Sequence, residues 1–345
     1  MTCNHIKECS GCECLHVPYE LQLKNKQRNL TGLLKKEVKI FHGASCGYRN
    51  RMEFIVKDGK IGLRVKGKPG KIIDVQECKI CKPRINEILK EAWDFLKGKD
   101  TKDLRYVIIR ATESGSSVSF VAKRSIEWLK EFETSAENVL VTFSNEDAYS
   151  EDYIVIKGED KLRAKILGKE FYFSVQGFFQ NNDEVARLMH EYCHNLLKSH
   201  NTKGYSLLDL YGGVGTFASI NAPLFEKVIV VESYKPGIEY AKMNLKGINA
   251  EFYPTPASNL KKIKLPENLF VITDPPRSGM EMETIRELNR IKPAAILYIS
   301  CNQFQLKKDL KKFSGYELKS AALFDMFPNT NHMEVVAELV RKTDL

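Results

Sequence analysis

The sequence predicts an α/β protein with a C-terminal Rossmann-like domain and an N-terminal α+β domain that carries a small cysteine-rich segment. Three observations predict this. After Gln176, apolar runs of strand length alternate with helical segments, as in a parallel sheet with helical crossovers. Between about Lys39 and Phe173, short β-branched and aromatic runs alternate with turns rich in Gly, Asn and Asp. Seven of the nine cysteines fall in the first 81 residues.

These patterns divide the chain into three units. Residues 1–38 together with 74–82 form the cysteine-rich segment, residues 39–173 form the α+β domain, and residues 174–345 form the Rossmann-like domain. A length of 345 residues suits two domains, or three if one of them is small.

Composition places the chain among ordinary globular proteins. Hydrophobic residues make up 43% and charged residues 28%, which excludes extended disorder and collagen. The 53 Lys and Arg exceed the 44 Asp and Glu, and the formal net charge of +9 is compatible with a polyanionic partner such as RNA or DNA. No stretch reaches about 18 consecutive apolar residues, and the N-terminus lacks the apolar core of a signal peptide. We therefore expect a cytoplasmic protein with no membrane association.

Local periodicity predicts the individual elements. After the first cysteines, leucines recur at helical spacing at positions 23, 30, 33 and 34. Further helices are predicted near 84–97 and 125–137 in the first half, and over 182–198, 236–245 and 281–290 in the second half. The last two strand-like runs, ELKSAALFDMF and HMEVVAELVR, are joined by a short turn and predict an antiparallel hairpin at the end of the sheet.

A glycine-rich turn follows the first strand of the second half. It reads Asp209-Leu-Tyr211-Gly212-Gly213-Val-Gly215. Glycines here let a cofactor lie against the backbone, and Glu232 at the end of the next strand is placed to accept ribose hydroxyls. The same turn satisfies the dinucleotide pattern G-x-G-x-x-A, whereas an aspartate before G-G-x-G is more typical of an S-adenosylmethionine (SAM) site. The residues alone leave both cofactors open and favour SAM.

Three further strands end or begin at chemically active residues. Asp274 precedes Pro-Pro-Arg, Cys301 lies in Ser-Cys-Asn, and Glu334 comes before an apolar run. Because parallel strands open onto one crevice at their carboxyl ends, we expect Asp274 and Cys301 to lie beside the glycine turn. A helix beginning after Asn302 should lower the pKa of the Cys301 thiol. Desolvation should raise the pKa of Glu334, which suits a general base or acid.

A fifth motif, Gly177-Phe178-Phe179-Gln180-Asn181, combines rings that stack on a base with an amide that reads a base edge. Together the five motifs resemble the SAM-dependent RNA 5-methyluridine methyltransferases, whose signatures read F-F-Q-x-N, D-L-Y/F-C-G-x-G, D-P-P-R-x-G, S-C-N and H-x-E in this order. The resemblance extends from Cys3 to about Val340. Gly212 stands where the family usually has a cysteine.

The resemblance implies that the 174–345 unit is a SAM-dependent methyltransferase domain that methylates C5 of a specific uridine in RNA. The Cys301 thiolate would add to C6 of the uracil, C5 would acquire the methyl group, and Glu334 would remove the C5 proton before Cys301 leaves. The implied cofactor-binding residues are Gln180, Tyr211, Glu232 and Asp274. Of these, Gln180 and Asp274 would also hold the uracil edge, while Phe178 or Phe179 stacks on a flipped base.

The N-terminal cysteines have the composition of a metal site. Four thiolates with no conveniently spaced histidine suit either zinc or an iron-sulfur cluster. The resemblance favours a [4Fe-4S] cluster bound by Cys3, Cys9, Cys12 and Cys78. Cys14 and Cys81 are rival ligands, because each forms a compact pair with one of these cysteines. The cysteines begin so early that we expect this iron-sulfur branch to lack the OB-like barrel that precedes them in many relatives.

RNA is the expected partner of the 39–173 unit and of the helix before it. The candidate phosphate contacts are Arg28, Lys35, Lys36, Arg49, Arg51 and Arg64. Because cluster-bearing bacterial relatives tend to act on large-subunit ribosomal RNA, a uridine of 23S rRNA is the favoured substrate and the T-loop uridine of tRNA the next. Two other classes stay open: a non-catalytic, metal-stabilised RNA-binding protein and, less favoured, an NAD-dependent oxidoreductase. No obligate protein partner is inferred.

Overall fold

The structure, a computed structural model, describes residues 3–68, 70–145, 148 and 150–342. Residues 1–2 of the predicted cysteine-rich segment and residues 343–345 of the predicted 174–345 unit lie outside these ranges. The elements of the N-terminal half are α1 (Tyr19–Leu34), β1 (Val38–Phe41), β2 (Arg51–Lys57), β3 (Lys60–Arg64), β4 (Ile72–Asp74), α2 (Pro83–Leu96), β5 (Leu104–Thr112), β6 (Gly115–Ala122), β7 (Asn138–Phe143), β8 (Tyr153–Lys157), β9 (Leu162–Ile166) and β10 (Lys169–Phe173).

The C-terminal half alternates helices and strands as predicted. Its elements are α3 (Asp183–Lys198), β11 (Ser206–Leu210), α4 (Thr216–Asn221), β12 (Lys227–Glu232), α5 (Lys235–Asn244), β13 (Ala250–Pro254), β14 (Leu269–Thr273), α6 (Met282–Ile291), β15 (Ala295–Ser300), α7 (Gln303–Leu310), β16 (Tyr316–Phe324) and β17 (Glu334–Arg341).

The N-terminal sheet has the strand order β4-β3-β2-β5-β6-β7-β8. All neighbours are antiparallel except β6 and β7, which are parallel. Helix α2 covers this sheet, because its apolar residues at helical spacing, including Ile85, Ile88 and Leu89, are fully buried in the same core. The sheet thus forms a scaffold for the loops that lead into β2 and α2.

The helix predicted over 125–137 is much shorter in the structure. One 3₁₀ helix covers Glu127–Glu131. After it, Thr134 and Ser135 donate hydrogen bonds to the Glu91 carboxylate of α2, including a backbone bond of 3.0 Å from Ser135. Hydroxyl side chains compete for hydrogen bonds that a continuing helix would need, so the chain leaves the helix there.

The C-terminal sheet has eight strands in the order β1-β16-β17-β15-β14-β11-β12-β13. Neighbouring strands are parallel throughout the part β15-β14-β11-β12-β13 of this order. Strands β16 and β17 form the predicted antiparallel hairpin. Apolar helices cover both faces, as the strands' complete burial requires. The carboxyl ends of the parallel strands therefore meet at one edge.

The first strand belongs to the C-terminal sheet, although residues 39–41 fall within the predicted 39–173 unit. β1 runs parallel to β16, with Val38 opposite Ala321. Helix α1 packs beside it, and its Lys26 ammonium forms a buried ion pair with Asp325 at 2.6 Å. Strand pairing and a buried ion pair thus join the N-terminal segment to the C-terminal half.

The two halves also share a core. The hairpin of β9 and β10 contributes Phe171 and Phe173 to a buried cluster that includes Leu140 of β7 and Val214 of the C-terminal half. Among the described helices, none is long and apolar enough to cross a lipid bilayer.

Candidate active site

A cavity of about 760 Å³, here called the cofactor cavity, lies between the two halves at the carboxyl edge of the C-terminal sheet. Its size is within the usual range for small-molecule sites. The residues that line it include the six predicted catalytic and cofactor-binding residues, which are Gln180, Tyr211, Glu232, Asp274, Cys301 and Glu334. The structure therefore brings together side chains that are spread over more than 150 residues of sequence.

Two carboxylates, those of Asp209 and Glu232, accept backbone hydrogen bonds at the glycine-rich turn after β11. Asp209 is buried, and its Oδ2 accepts a hydrogen bond of 2.9 Å from the Ala218 backbone N–H. Burial raises the pKa of Asp209 to about 8. Tyr211 and Gly213 have φ values of 57° and 53°, in the left-handed region that is uncommon for a tyrosine and points to a functional turn.

Glu232 fixes the other side of the turn. Its Oε2 accepts from the Gly213 backbone N–H at 3.0 Å and its Oε1 from the Tyr234 backbone N–H at 2.7 Å. An ionised carboxylate has about four acceptor positions. Its Oε1 also accepts from the Ser233 hydroxyl at 3.2 Å. These three bonds orient Glu232 in the lining of the cavity, and the remaining acceptor capacity suits a ribose hydroxyl.

Asn302 connects the Cys301 turn to the loop after β14. Its side-chain oxygen caps α7 by accepting from the Phe304 and Gln305 backbone N–H groups, each at 3.2 Å. Its Nδ2 donates to the Arg277 carbonyl at 3.1 Å. One side chain thus fixes Cys301 relative to the Asp274-Pro-Pro-Arg277 loop, a role that the S-C-N motif alone did not reveal.

Cys301 and Glu334 are neighbours because of strand register. Ser300 on β15 pairs with Val335 on the antiparallel strand β17, so the next position along each strand sets Cys301 opposite Glu334. Opposite residues in such a pair have Cα atoms about 4.5 to 5.5 Å apart. Glu334 is buried, and its Oε2 has no hydrogen-bond partner among the described residues.

The electrostatics of the two carboxylates follow from burial. Burial raises the pKa of Glu334 well above its ordinary value, and the nearby Asp274 raises it further. Burial raises the pKa of Asp274 as well. Two desolvated carboxylates close together favour a shared proton. The predicted raised pKa of Glu334 agrees with this arrangement.

The pKa of Cys301 differs from the expectation. The N-terminus of α7 was expected to lower it, but burial together with Glu334 and Asp274 raises the pKa of Cys301 to about 11, against a smaller lowering effect of Arg277. The expectation considered only the residues that follow Cys301 in sequence. Burial of the thiol is the largest cause, and the two carboxylates that add to it lie just after β14 and at the start of β17.

The 177–181 loop separates the roles of its two aromatic rings. Phe179 is buried and stacks on Phe173, with ring centroids 4.2 Å apart and planes 8° from parallel. Phe178 is 71% exposed and lines the cofactor cavity, so it is the ring with a face available to a base. Asn50 holds the loop, because its Nδ2 donates to the Gln180 carbonyl at 2.9 Å and its backbone N–H to the Asn181 carbonyl at 3.0 Å.

A second cavity, the outer cavity, also reaches Cys301. It has a volume of about 550 Å³ and shares Cys301 and Arg277 with the cofactor cavity. Arg277 Nη2 donates to His332 Nδ1 at 3.2 Å. Burial and Arg277 lower the pKa of His332. Both residues belong to recognised motifs, but nothing in the sequence indicated that they pair.

The four predicted cluster ligands line a third cavity, the cysteine cavity, of about 470 Å³. Cys3, Cys9 and Cys12 come from turns before α1, and Cys78 comes from the loop before α2. The rival Cys14 lines the outer cavity instead, where its thiol donates to Asn331 Oδ1 at 3.3 Å. The rival Cys81 is buried outside the lining and donates a hydrogen bond to the Cys78 sulfur, which lowers the pKa of Cys78.

No group of three or more His, Cys, Asp or Glu within the described ranges is arranged around a position for one metal ion. The four cysteines share a cavity without converging on a single point.

The chain resembles known proteins over nearly all of its length. A sequence model of the tRNA (uracil-5-)-methyltransferase family matches residues 18–252 and 255–342. A relative from Nanoarchaeum equitans, named as an uncharacterized RNA methyltransferase, is 30% identical over 99% of this chain and 81% of its own length. The tRNA (uracil(54)-C(5))-methyltransferase of Pyrococcus abyssi is 30% identical over 98% of this chain and 85% of its own length.

The crystal structure of the Pyrococcus abyssi tRNA (uracil-54, C5)-methyltransferase in complex with S-adenosyl-L-homocysteine has the same fold. It superposes with a TM-score of 0.81 at 26% identity, covering 96% of this chain and 86% of that one. The predicted α/β methyltransferase fold is confirmed, and the NAD-dependent oxidoreductase and the non-catalytic binding protein are not retained. Because the family model and the relatives match almost the whole chain, the protein belongs to the tRNA (uracil-5-)-methyltransferase family, whose members are SAM-dependent RNA (uracil-C5) methyltransferases.

Proposed function

We propose that this protein transfers a methyl group from SAM to C5 of uridine 54 in the T-loop of tRNA. The observation that carries the chemistry is the pairing of Cys301 with the buried Glu334 at the cofactor cavity. The choice of RNA is supported by the Pyrococcus relatives that are named as tRNA (uracil(54)-C(5))-methyltransferases. The 23S rRNA uridine favoured by the sequence has no such support and becomes the competing substrate in the test.

The residues of the cofactor cavity fit SAM. The glycine turn brings backbone close to the cavity, and the acceptor positions of Glu232 suit ribose hydroxyls. When bound, SAM supplies the methyl group that C5 acquires. Tyr211 and Gln180 also line the cavity and would complete the site.

Cys301 is the proposed nucleophile. Its raised pKa means that the thiol is protonated at neutral pH in the free protein. The proton therefore has to leave before sulfur can bond to uracil C6. Asp274 and Glu334 are the neighbouring carboxylates that can pass it to solvent, so that Glu334 is ionised again before the last step. The electron pair of the C5–C6 bond moves toward the C4 carbonyl, which makes C5 nucleophilic.

Glu334 is the proposed general base for the last step. After C5 has acquired the methyl group, Glu334 removes the C5 proton, the C5–C6 double bond re-forms, and the bond between C6 and the Cys301 sulfur breaks. Burial favours this assignment, because a carboxylate with a raised pKa is a stronger base than an exposed one.

The outer cavity is the proposed entry for the RNA strand that carries the uridine. Asn25 and Asn29 of α1 line it together with the exposed ring of Phe304. Arg28, Lys35 and Lys36 are exposed on or just after the same helix, which supports a role in binding phosphates. Arg64 is exposed on β3, whereas Arg49 and Arg51 line the cysteine cavity.

We also propose that Cys3, Cys9, Cys12 and Cys78 hold a [4Fe-4S] cluster. Their shared cavity supports this, and each of the four thiolates would bind one iron of the cluster. The role is structural. The Cys78 loop donates and accepts backbone bonds with Arg49, which precedes the Asn50 that holds the Gln180 loop.

The substrate is tested with unmodified tRNA transcript, the same transcript carrying cytidine at position 54, and a 23S rRNA transcript. Each is incubated with methyl-labelled SAM and digested to nucleosides. We expect 5-methyluridine from the first tRNA and none from the other two. Labelling of the 23S transcript alone would replace the tRNA proposal, and Cys301→Ala serves as the inactive control.

The cluster is tested on anaerobically purified protein. We expect a brown protein with about four irons and four acid-labile sulfides per chain. Cys78→Ser should bleach the protein, while the matched Cys14→Ser, whose thiol lies in the outer cavity, should keep both colour and iron. Colourless protein with one zinc, or bleaching by Cys14→Ser alone, would contradict the ligand set.

A further inference from the structure

Two arginines face each other beside the cofactor cavity. Arg51 on β2 and Arg110 on β5 are directly opposite in the antiparallel pairing, and both line the cavity. Like charges directly opposite across two strands destabilise a sheet. Such a pair therefore needs a compensating negative group.

Arg110 has no compensating partner in the described chain. It is 3% exposed, and its Nε and Nη1 are buried without a hydrogen-bond partner. Its guanidinium lies over the ring of Phe173, with the Cζ atom 5.2 Å from the ring centroid. The ring holds the guanidinium in place but satisfies none of its N–H donors. Arg51 Nε is also buried without a partner.

The nearest carboxylates are already engaged. Asp160 accepts from the Ser174 hydroxyl at 2.7 Å and the Tyr153 hydroxyl at 3.0 Å. Asp183 pairs with Lys82, and Glu53 pairs with Arg51. These groups attract Arg110 at a distance, and burial still lowers its pKa well below the ordinary value. An unpaired buried charge of this kind is costly, and a bound anion would offset the cost.

We propose that Arg110, with Arg51 beside it, binds an anionic oxygen group that enters the cofactor cavity. Two sources supply such a group: the carboxylate of the amino-acid end of the cofactor, or a phosphodiester of the RNA beside the target nucleotide. The inference rests on the proposed function for the identity of these ligands. In the sequence, Arg110 lies within the apolar run of β5 and gave no sign of a ligand.

The test replaces Arg110 with Met, which keeps an unbranched stem over Phe173 and removes the charge. Because an uncompensated charge is removed, Arg110→Met should raise the melting temperature of the free protein. It should also weaken binding of the anionic ligand by about 10- to 150-fold, as expected for hydrogen bonds to a charged group. Arg124→Met is the matched control, since Arg124 is exposed and pairs with Asp103 far from the cavity.

Binding measurements on separate ligands distinguish the cofactor carboxylate from the RNA phosphodiester. S-adenosylhomocysteine and 5′-methylthioadenosine, which lacks the carboxylate, are titrated calorimetrically without RNA, and tRNA is titrated at several salt concentrations without cofactor. Weaker binding of S-adenosylhomocysteine alone assigns the carboxylate. Weaker binding of tRNA alone, with a salt slope reduced by about one, assigns the phosphate.

Three results would overturn the proposal. The first is an affinity for every ligand that matches the Arg124→Met control. The second is an equal loss for all three ligands, which would indicate general damage. The third is a melting temperature below that of wild type in Arg110→Met with recovery in Arg110→Lys, which would indicate a structural partner for the charge. Methyl transfer to tRNA by the wild-type protein is measured separately, so a failure of this inference is distinguishable from a wrong tRNA substrate.

Discussion

The cofactor cavity and the cysteine cavity differ in the backbone that positions their functional side chains. In the cofactor cavity, Tyr211, Asp274, Cys301 and Glu334 stand at or next to the ends of paired strands, so sheet hydrogen bonds fix their positions. In the cysteine cavity, the thiols lie on turns held by a few backbone bonds. Strand ends fix side chains precisely without a ligand, whereas the proposed cluster would add cross-links that the turns of the cysteine cavity lack.

Removing the nucleophile should have the largest effect in the strand-end site. Cys301→Ala should abolish both the product and the covalent RNA adduct, because addition to C6 comes first. Methyl incorporation and denaturing electrophoresis measure the two. Cys46→Ala, which removes an exposed cysteine, should behave as wild type. An adduct that persists in Cys301→Ala would remove this residue from the mechanism.

Replacing the base should separate the steps. Glu334→Gln keeps the shape of the side chain and blocks proton removal, so turnover should fall by about 10² to 10⁴. A methylated enzyme–RNA complex should accumulate and survive denaturing electrophoresis. Glu338→Gln is a suitable control, because Glu338 lies on the same strand and is engaged by His200 and Lys319. Normal turnover in Glu334→Gln would transfer the role of base to another group.

The raised pKa of Cys301 predicts that its rate of alkylation depends on pH over a more alkaline range than the rate of an exposed thiol. Below a pKa of about 11 the thiolate fraction grows with pH. Iodoacetamide labelling of Cys301 in the free protein should therefore accelerate about tenfold per pH unit between about pH 7 and pH 10. Glu334→Gln removes a negative neighbour and should increase the rate at a given alkaline pH. Peptide mass spectrometry measures the label, and a pH-independent rate would contradict the assignment.

The smallest expected effect concerns Asn302. Asn302→Ala removes the cap of α7 and the bond to the Arg277 carbonyl, and should cost about 1 kcal/mol in the free energy of unfolding. Urea denaturation measures it. Asn302→Asp keeps the cap acceptor but loses the donor to Arg277, so its stability should recover more than its activity. Equal recovery of both would show that the link to Arg277 has no role in positioning Cys301.

The predictability of the two regions follows the same division. The order of apolar strands predicted that Asp274 and Cys301 would meet at the glycine turn, because parallel strands share one carboxyl edge. The meeting of Cys78 with Cys3, Cys9 and Cys12 came only from the family resemblance, because turn geometry is not encoded in a short periodic pattern. Through-space effects were also missed: the raised pKa of Cys301 and the isolation of Arg110 depend on neighbours distant in sequence.

The parallel pairing of β1 with β16 has a consequence for how the chain folds during synthesis. Val38 leaves the ribosome well before its partner Ala321, which follows it by more than 280 residues. Before Ala321 emerges, β1 has no partner strand. Without β1, strand β16 would be an unpaired edge of the sheet. The catalytic half is therefore assembled from segments that are far apart in the sequence, and its completion is a long-range event in folding.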